Sequence, residues 1–275
     1  MKTPTSYILT LLLALTISTQ QTPLHPHPNQ QPLSLPLPAP STPTLRPIHP
    51  ADLPSLTNLI IDAFRPSATW HYLIPNFAAH EPEFRACMVR QVEREWANRH
   101  RNATFGNVIT VPADEASGSG ARTEGGEEIV AVALWNIRDE TNHHIHTHPL
   151  LVLLSTTSPA SCPDINTTRA LSLAAQQSSL EQRYLSPLAP RQLYLHTLAT
   201  HPSWDGHGFA ARHCIWGQHL AGEMGVPVTL TATEAGWPVY DALGWRGLRR
   251  ETLRGLEGER VGEWVEAMVW EGEGE

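Results

Sequence analysis

The stretch from Arg191 to Gly225 constrains the chain more than any other. Its first part, Arg191-Gln192-Leu193-Tyr194-Leu195-His196-Thr197-Leu198-Ala199-Thr200, has the pattern of a buried strand and runs into the turn His201-Pro202-Ser203-Trp204. The glycine-bearing loop Asp205-Gly206-His207-Gly208-Phe209 follows. Beyond it Ala210, Cys214, Gly217, Ala221 and Met224 recur at helical spacing, giving one small-residue face that can lie close on a sheet until Gly225 and Pro227 end the helix. A strand that feeds a short loop and then a helix presents backbone N–H groups with no partner in the helix, at its positive end. Gly208 and Ala210 let that backbone approach an oxygen, so a phosphate can sit there. The steric needs of any strand-to-helix turn explain the same glycines, and the loop alone names no ligand.

Around this segment the chain alternates strands and helices. Thr44-Leu45-Arg46-Pro47-Ile48 reads as a short strand, and Leu53, Leu56, Leu59, Ile60, Ala63 and Phe64 follow at helical spacing. Phe84, Met88, Val92 and Trp96 predict a second helix over 81–99, with one strongly charged face. Phe105 to Val111 and Glu128 to Ile137 predict a hairpin whose Gly/Ser/Glu-rich connection, 112–127, reads as a flexible loop. From Arg138 to Pro190 the periodicity lapses into a His-rich stretch, an apolar patch at 150–154 and a helix pattern between Ile165 and Tyr184. This is read as an insertion. After the glycine loop and its helix come a strand over 228–231, a short helix over 236–243, and strands over 244–252 and 261–270.

The 43 N-terminal residues stand apart from this pattern. No charged residue lies between Thr3 and Leu45, and prolines recur from Thr22 to Pro43, which removes backbone donors and predicts a disordered or polyproline-like tether. The apolar run Tyr7 to Ile17 behind Lys2 is shaped like a signal peptide. As a helix it reaches about half of a bilayer core, so stable membrane insertion is not expected. The triplets at Asn102 and Asn166 have the form of glycosylation sequons and fit a secretory route. The alternative is an uncharged Pro-rich extension on a cytoplasmic protein.

Composition bounds the partners. At 275 residues and 41% apolar residues the chain can bury one sizeable core, and one domain over 44–275 is expected. The formal charge of -8 argues against nucleic acid, whose backbone is held by clustered Lys and Arg. Cys87, Cys162 and Cys214 are too few and too far apart for a disulfide framework and read as buried or free thiols. His143, His144, His146 and His148 have no Cys or carboxylate at a familiar spacing to complete a metal set, so no metal is expected.

The strand ending in His201-Pro202, the loop with Gly206, Gly208 and Ala210, and the helix behind it resemble the GNAT superfamily of acetyl-CoA-dependent N-acetyltransferases, in a fungal-type form. Leu230-Thr231-Ala232-Thr233-Glu234-Ala235-Gly236 and Tyr240-Asp241-Ala242-Leu243-Gly244-Trp245 look like that family's second block. The resemblance runs from Leu193 to Trp245 and extends to the strand and helix of 44–64. It implies an α/β fold: a mixed, mostly antiparallel twisted sheet with helices on both faces and the cofactor where the fourth and fifth strands part. It also implies an acyltransferase that passes an acetyl group from acetyl-CoA to a primary amine of a small molecule or peptide. One departure stands out. Where the family usually carries Gln or Arg the chain has Asp205, followed by Gly206 and His207, so the loop brings less positive charge to a pyrophosphate.

Carried over residue by residue, the resemblance implies that Leu198, Ala199 and Thr200 offer backbone groups to the pantetheine arm. Asp205, Gly206, His207, Gly208, Phe209, Ala210 and Ala211 would hold the pyrophosphate. A fixed amide at Leu198 or Ala199 would stabilise the oxyanion that develops on the thioester. Tyr240 matches the family's tyrosine that protonates the departing thiolate, and a phenol is a proton donor at neutral pH. No carboxylate stands on the strand before the loop. His196 is the candidate base there, and a structural strand histidine is its other reading. Trp70-His71-Tyr72 is read either as a wall of the amine pocket or as core. A GNAT-like protein that binds an acyl-CoA without turnover, and a secreted interaction protein, are the rival functions.

Overall fold

Neighbouring residues of one strand separate the two sides of the core. Val132 packs with Leu53, Leu56, Leu59 and Ile60 on one side of the sheet, and Ala133 with Cys214, Leu193 and Leu230 on the other, as the two-residue repeat of a strand requires. The computed structural model describes residues 42–99, 103–112, 126–139 and 162–272. Its elements are β1 (Thr44–Pro47), α1 (Leu53–Phe64), α2 (Ala68–Leu73), α3 (Glu81–Ala97), β2 (Thr104–Pro112), β3 (Glu127–Arg138), α4 (Thr167–Tyr184), β4 (Gln192–Thr200), α5 (Phe209–Met224), β5 (Val228–Thr233), α6 (Trp237–Ala242), β6 (Arg246–Arg254) and β7 (Arg260–Trp270). The sheet runs β1-β2-β3-β4-β5-β7-β6. Every neighbouring pair is antiparallel except β4 and β5, which run parallel. The fold is therefore the mixed, mostly antiparallel α/β sheet that the sequence implies.

Helices cover both faces. α1 lies over β3 and β4 through Leu56, Leu59 and Ile60, whereas α5 packs the opposite face against Trp135 and Leu195. Gly217 makes the second contact close, because a methyl group there would overlap the Trp135 indole. α4 brings Leu180 against Tyr194, Val265 and Ala267. Its first turn is capped by Asn166, whose side chain accepts from the Arg169 amide at 3.1 Å.

One expectation is corrected, and one pair of open readings is decided. Cys87 and Cys162 are not thiols. They form a disulfide joining α3 to the segment before α4, with Cα atoms 5.5 Å apart across a separation of 75 residues. Distance along the sequence is no guide here, because both elements fold onto one apolar cluster containing Ile61, Trp70, Phe84 and Leu173. Cys214 alone is a free thiol among the described residues, and burial pushes it up to about 12. Trp70 and Tyr72 belong to core rather than to a pocket wall. They lie on α2, whose N-cap Ser67 accepts from the Trp70 amide at 3.1 Å, and Trp70 meets Phe77 and Phe84 edge-on in the interior.

The N-terminal tether and leader, the connection at 113–125, the histidines at 143–148 and the sequon at Asn102 lie outside the described residues. Among those described, no helix is long and apolar enough to cross a membrane, and no group of His, Cys, Asp and Glu could hold a metal ion.

Candidate acyl-CoA and acceptor cleft

β4 and β5 are paired only from Leu193↔Val228 to Leu195↔Leu230, although β4 continues to Thr200 and β5 to Thr233. Beyond that last pair the two strands part. The register of β4 against β3 also slips between Leu134 and Trp135, so the strand re-aims its side chains at the place where the gap begins. A cleft of about 850 Å³ opens there.

The cleft gathers nearly all of the residues singled out in the sequence. His196, Leu198, Ala199 and Thr200 line it from β4, Asp205, Gly206, Gly208, Phe209, Ala210 and Ala211 from the loop and the start of α5, and Tyr240 from α6. His207 does not line it. Its ring turns back on the loop, with Nδ1 3.1 Å from the Trp204 carbonyl oxygen and 3.0 Å from that of Asp205.

The loop has the shape of a cradle. Gly206 and Gly208 both sit in the left-handed region, at φ 79° and 78°, where a side chain is strained. Nothing lies within 4 Å of where a Cβ of either would stand. The backbone is thus bare to solvent at the head of a 16-residue helix whose first turn faces the cleft.

Tyr240 is almost wholly buried, and burial, with Cys214 and Tyr194 nearby, raises its phenol well above 10. It therefore carries its proton at neutral pH. Its ring lies beside Gly236, where a Cβ would come within 3.7 Å of the hydroxyl. His196 has Nδ1 3.2 Å from the Thr197 hydroxyl.

Two carboxylates that strand-and-loop reading missed also belong to this region. Glu181 of α4 is fully buried, and its Oε1 accepts from the Tyr194 hydroxyl at 2.7 Å, from Thr231 Oγ1 at 3.1 Å and from Gln177 Nε2 at 3.1 Å. Its Oε2 accepts from Arg138 Nη2 at 3.0 Å. Gln177, Tyr194 and Thr231 in turn line the cleft. Glu263 of β7 lines it directly, holding the Ala68 amide at 2.6 Å and the Thr69 amide and hydroxyl at the N-terminus of α2. A weak clue to Glu181 exists in the sequence, a lone acid among the apolar spacings of 165–184. Glu263 gives none, since nothing in the pattern of strand β7 sets it apart from Glu266.

No protein-family model and no curated protein sequence matches the chain. Solved structures do. A mosquito arylalkylamine N-acetyltransferase like 5b superposes with a TM-score of 0.52 at 13% identity, covering 83% of this chain and 99% of that one. The polyamine N-acetyltransferase of Drosophila melanogaster, which catalyses formation of N-acetylagmatine, gives 0.51 at 14% identity over 83% and 99% of the two chains. At such identities the likeness speaks to architecture, and with the parted β4 and β5 it shows that this chain is built on the GNAT fold.

Proposed function

We propose that the chain is an acetyl-CoA-dependent N-acetyltransferase that acts on a primary amine of a small molecule or peptide by direct transfer. One observation carries this reading: the β4–β5 gap, the bare glycine loop at the head of α5 and the buried phenol of Tyr240 open into a single cleft. Each of the three has a separate structural explanation. Their convergence on one cavity is what a coenzyme A thioester and a nucleophile require.

Bound acetyl-CoA would supply an activated acetyl thioester. The backbone of Leu198 to Thr200, without a β5 partner, would hold the pantetheine arm as an added strand, and the amides of the Gly206–Ala211 turn would hold the pyrophosphate. Asp205 lines the cleft beside that turn and adds negative charge, so backbone amides and the helix dipole carry the phosphate contact. His196 takes the proton that the ammonium of the acceptor must lose. The amine nitrogen bonds to the carbonyl carbon while an amide of Leu198 or Ala199 stabilises the oxyanion, the C–S bond breaks, and Tyr240 gives its proton to the thiolate. The nitrogen sheds its second proton to solvent as the intermediate collapses, and solvent restores the Tyr240 proton. The products are the N-acetylated amine and free coenzyme A. Holding both reactants in line supplies the catalysis, with no covalent enzyme intermediate.

The test is calorimetric titration of the chain with acetyl-CoA, with Gly208→Trp as the blocked cradle. Micromolar binding that the variant loses is expected, followed by transfer to amines. Absence of binding by the folded protein overturns the reading, and binding without transfer to any amine leaves the silent acyl-CoA binder.

A further inference from the structure

The acceptor half of the cleft has a charged far end. Val265 of β7 pairs with Thr233 of β5, at the mouth of the gap, and Thr233 Oγ1 accepts from the Gly236 amide at 3.2 Å beneath Tyr240. Glu263 lies two residues further along β7. In a strand that puts it on the same face as Val265 and roughly 7 Å beyond it. Both side chains line the cleft that Tyr240 and His196 also line.

Part of the cleft wall is apolar. Phe64, Leu73, Leu173, Leu253 and Val265 line it, from α1, α2, α4, β6 and β7. Glu263 itself is fixed by the α2 amides and the Thr69 hydroxyl, which set its rotamer in advance of any ligand. A carboxylate held so, beside an apolar wall, favours a cation and opposes an anion. Among the described residues that line the cleft, the other full charges are Asp205 and Glu234, also carboxylates.

We propose that Glu263 binds a second cationic group of the acceptor, at the end remote from the reacting amine, so that the acceptors are linear aliphatic diamines or aminoalkyl cations. This rests on the acetyltransferase reading above and names its substrate class. His196, beside the gap, remains the proton acceptor for the reacting nitrogen. Glu263 acts on binding alone: its carboxylate pairs with the distal ammonium while methylenes lie along Leu73, Leu173 and Val265.

The experiment compares cadaverine, n-pentylamine and δ-aminovalerate as acceptors for the chain with acetyl-CoA. Each has a reacting amine on a five-carbon frame, and the far ends are an ammonium, a methyl and a carboxylate. The expected order of kcat/KM is cadaverine, pentylamine, δ-aminovalerate, with at least about tenfold between the first two, the size of one charge-assisted hydrogen bond. The difference should sit in KM. In Glu263→Gln, which keeps an acceptor oxygen for Thr69, the preference for cadaverine over pentylamine should vanish while acetyl-CoA affinity is unchanged. The wild-type series needs no variant to fold. Equal kcat/KM for cadaverine and pentylamine, or no transfer to any of the three by a protein that binds acetyl-CoA, overturns the assignment of Glu263. Failure to bind acetyl-CoA overturns the acetyltransferase reading instead, and this inference falls with it.

Discussion

The Tyr194 hydroxyl donates to Glu181 Oε1 across 2.7 Å, tying β4 to α4 one residue before the last β4–β5 pair. Thr231, the first β5 residue past that pair, donates to the same oxygen at 3.1 Å. Arg138 closes the group from β3, with its guanidinium over the Tyr194 ring and its Nη2 on the second carboxylate oxygen. The floor of the gap is thus a buried charge cluster fixed by four elements.

Removal of different members should cost different amounts. Tyr194→Phe deletes one donor and leaves Glu181 its other partners, a loss of about 1–2 kcal/mol. Glu181→Ala strands Arg138, which is only 4% exposed, as a buried charge, and about 3–5 kcal/mol is expected. Urea unfolding of the two variants measures both. Equal losses would mean that Arg138 does not depend on Glu181.

Tyr240→Phe should leave acetyl-CoA affinity unchanged and lower kcat by roughly a hundredfold, the usual worth of a positioned general acid. Because burial holds the phenol well above 10, the wild type should show no alkaline loss of kcat below about pH 10 from this group. Steady-state kinetics across pH decides it. A wild-type kcat that matches the variant's at every pH would remove Tyr240 from the chemistry.

Much of this architecture was legible in the sequence because it rests on local periodicity. β4, the glycine loop and α5 were read almost to the residue, since strand alternation, the two glycines and the small-residue face are all written in consecutive positions. α2 was not. Six residues hold too little helical repeat to announce themselves, and Trp70 and Tyr72 look alike as core or as pocket. The Cys87–Cys162 bond and the Glu263 contacts join elements far apart in sequence, where spacing carries no signal.

The disulfide makes a prediction of its own. A cross-link that closes a loop of 75 residues stabilises by at most about 4.5 kcal/mol through the unfolded chain, so reducing agent should lower the melting temperature. Iodoacetamide should label none of the three cysteines in the untreated native protein, because Cys214 is buried with its thiol raised to about 12. Peptide mass spectrometry checks this. Free Cys87 and Cys162 in protein from its native compartment would argue against an oxidising location.

His213 should make stability depend on acid. It lies fully buried on α5 with Nδ1 2.8 Å from Asn107 Oδ1, and burial lowers its pKa from 6.5 to about 3, helped by the neighbouring Arg212 and opposed by a bond with the Ala131 backbone. The unfolded chain takes a proton at this imidazole below its ordinary value, and the folded chain does not until the lowered one. Its contribution is therefore complete above about pH 6.5 and is lost progressively as the pH falls toward 3, by up to about 1.4 kcal/mol per pH unit. His213→Gln keeps an amide donor for Asn107 and cannot titrate. Urea unfolding at several pH values should show the wild type losing stability faster than the variant between pH 6 and 4, so that the gap between them at neutral pH closes. Parallel curves would mean that His213 reaches solvent in the native protein and that the α5–β2 contact opens more readily than its burial implies.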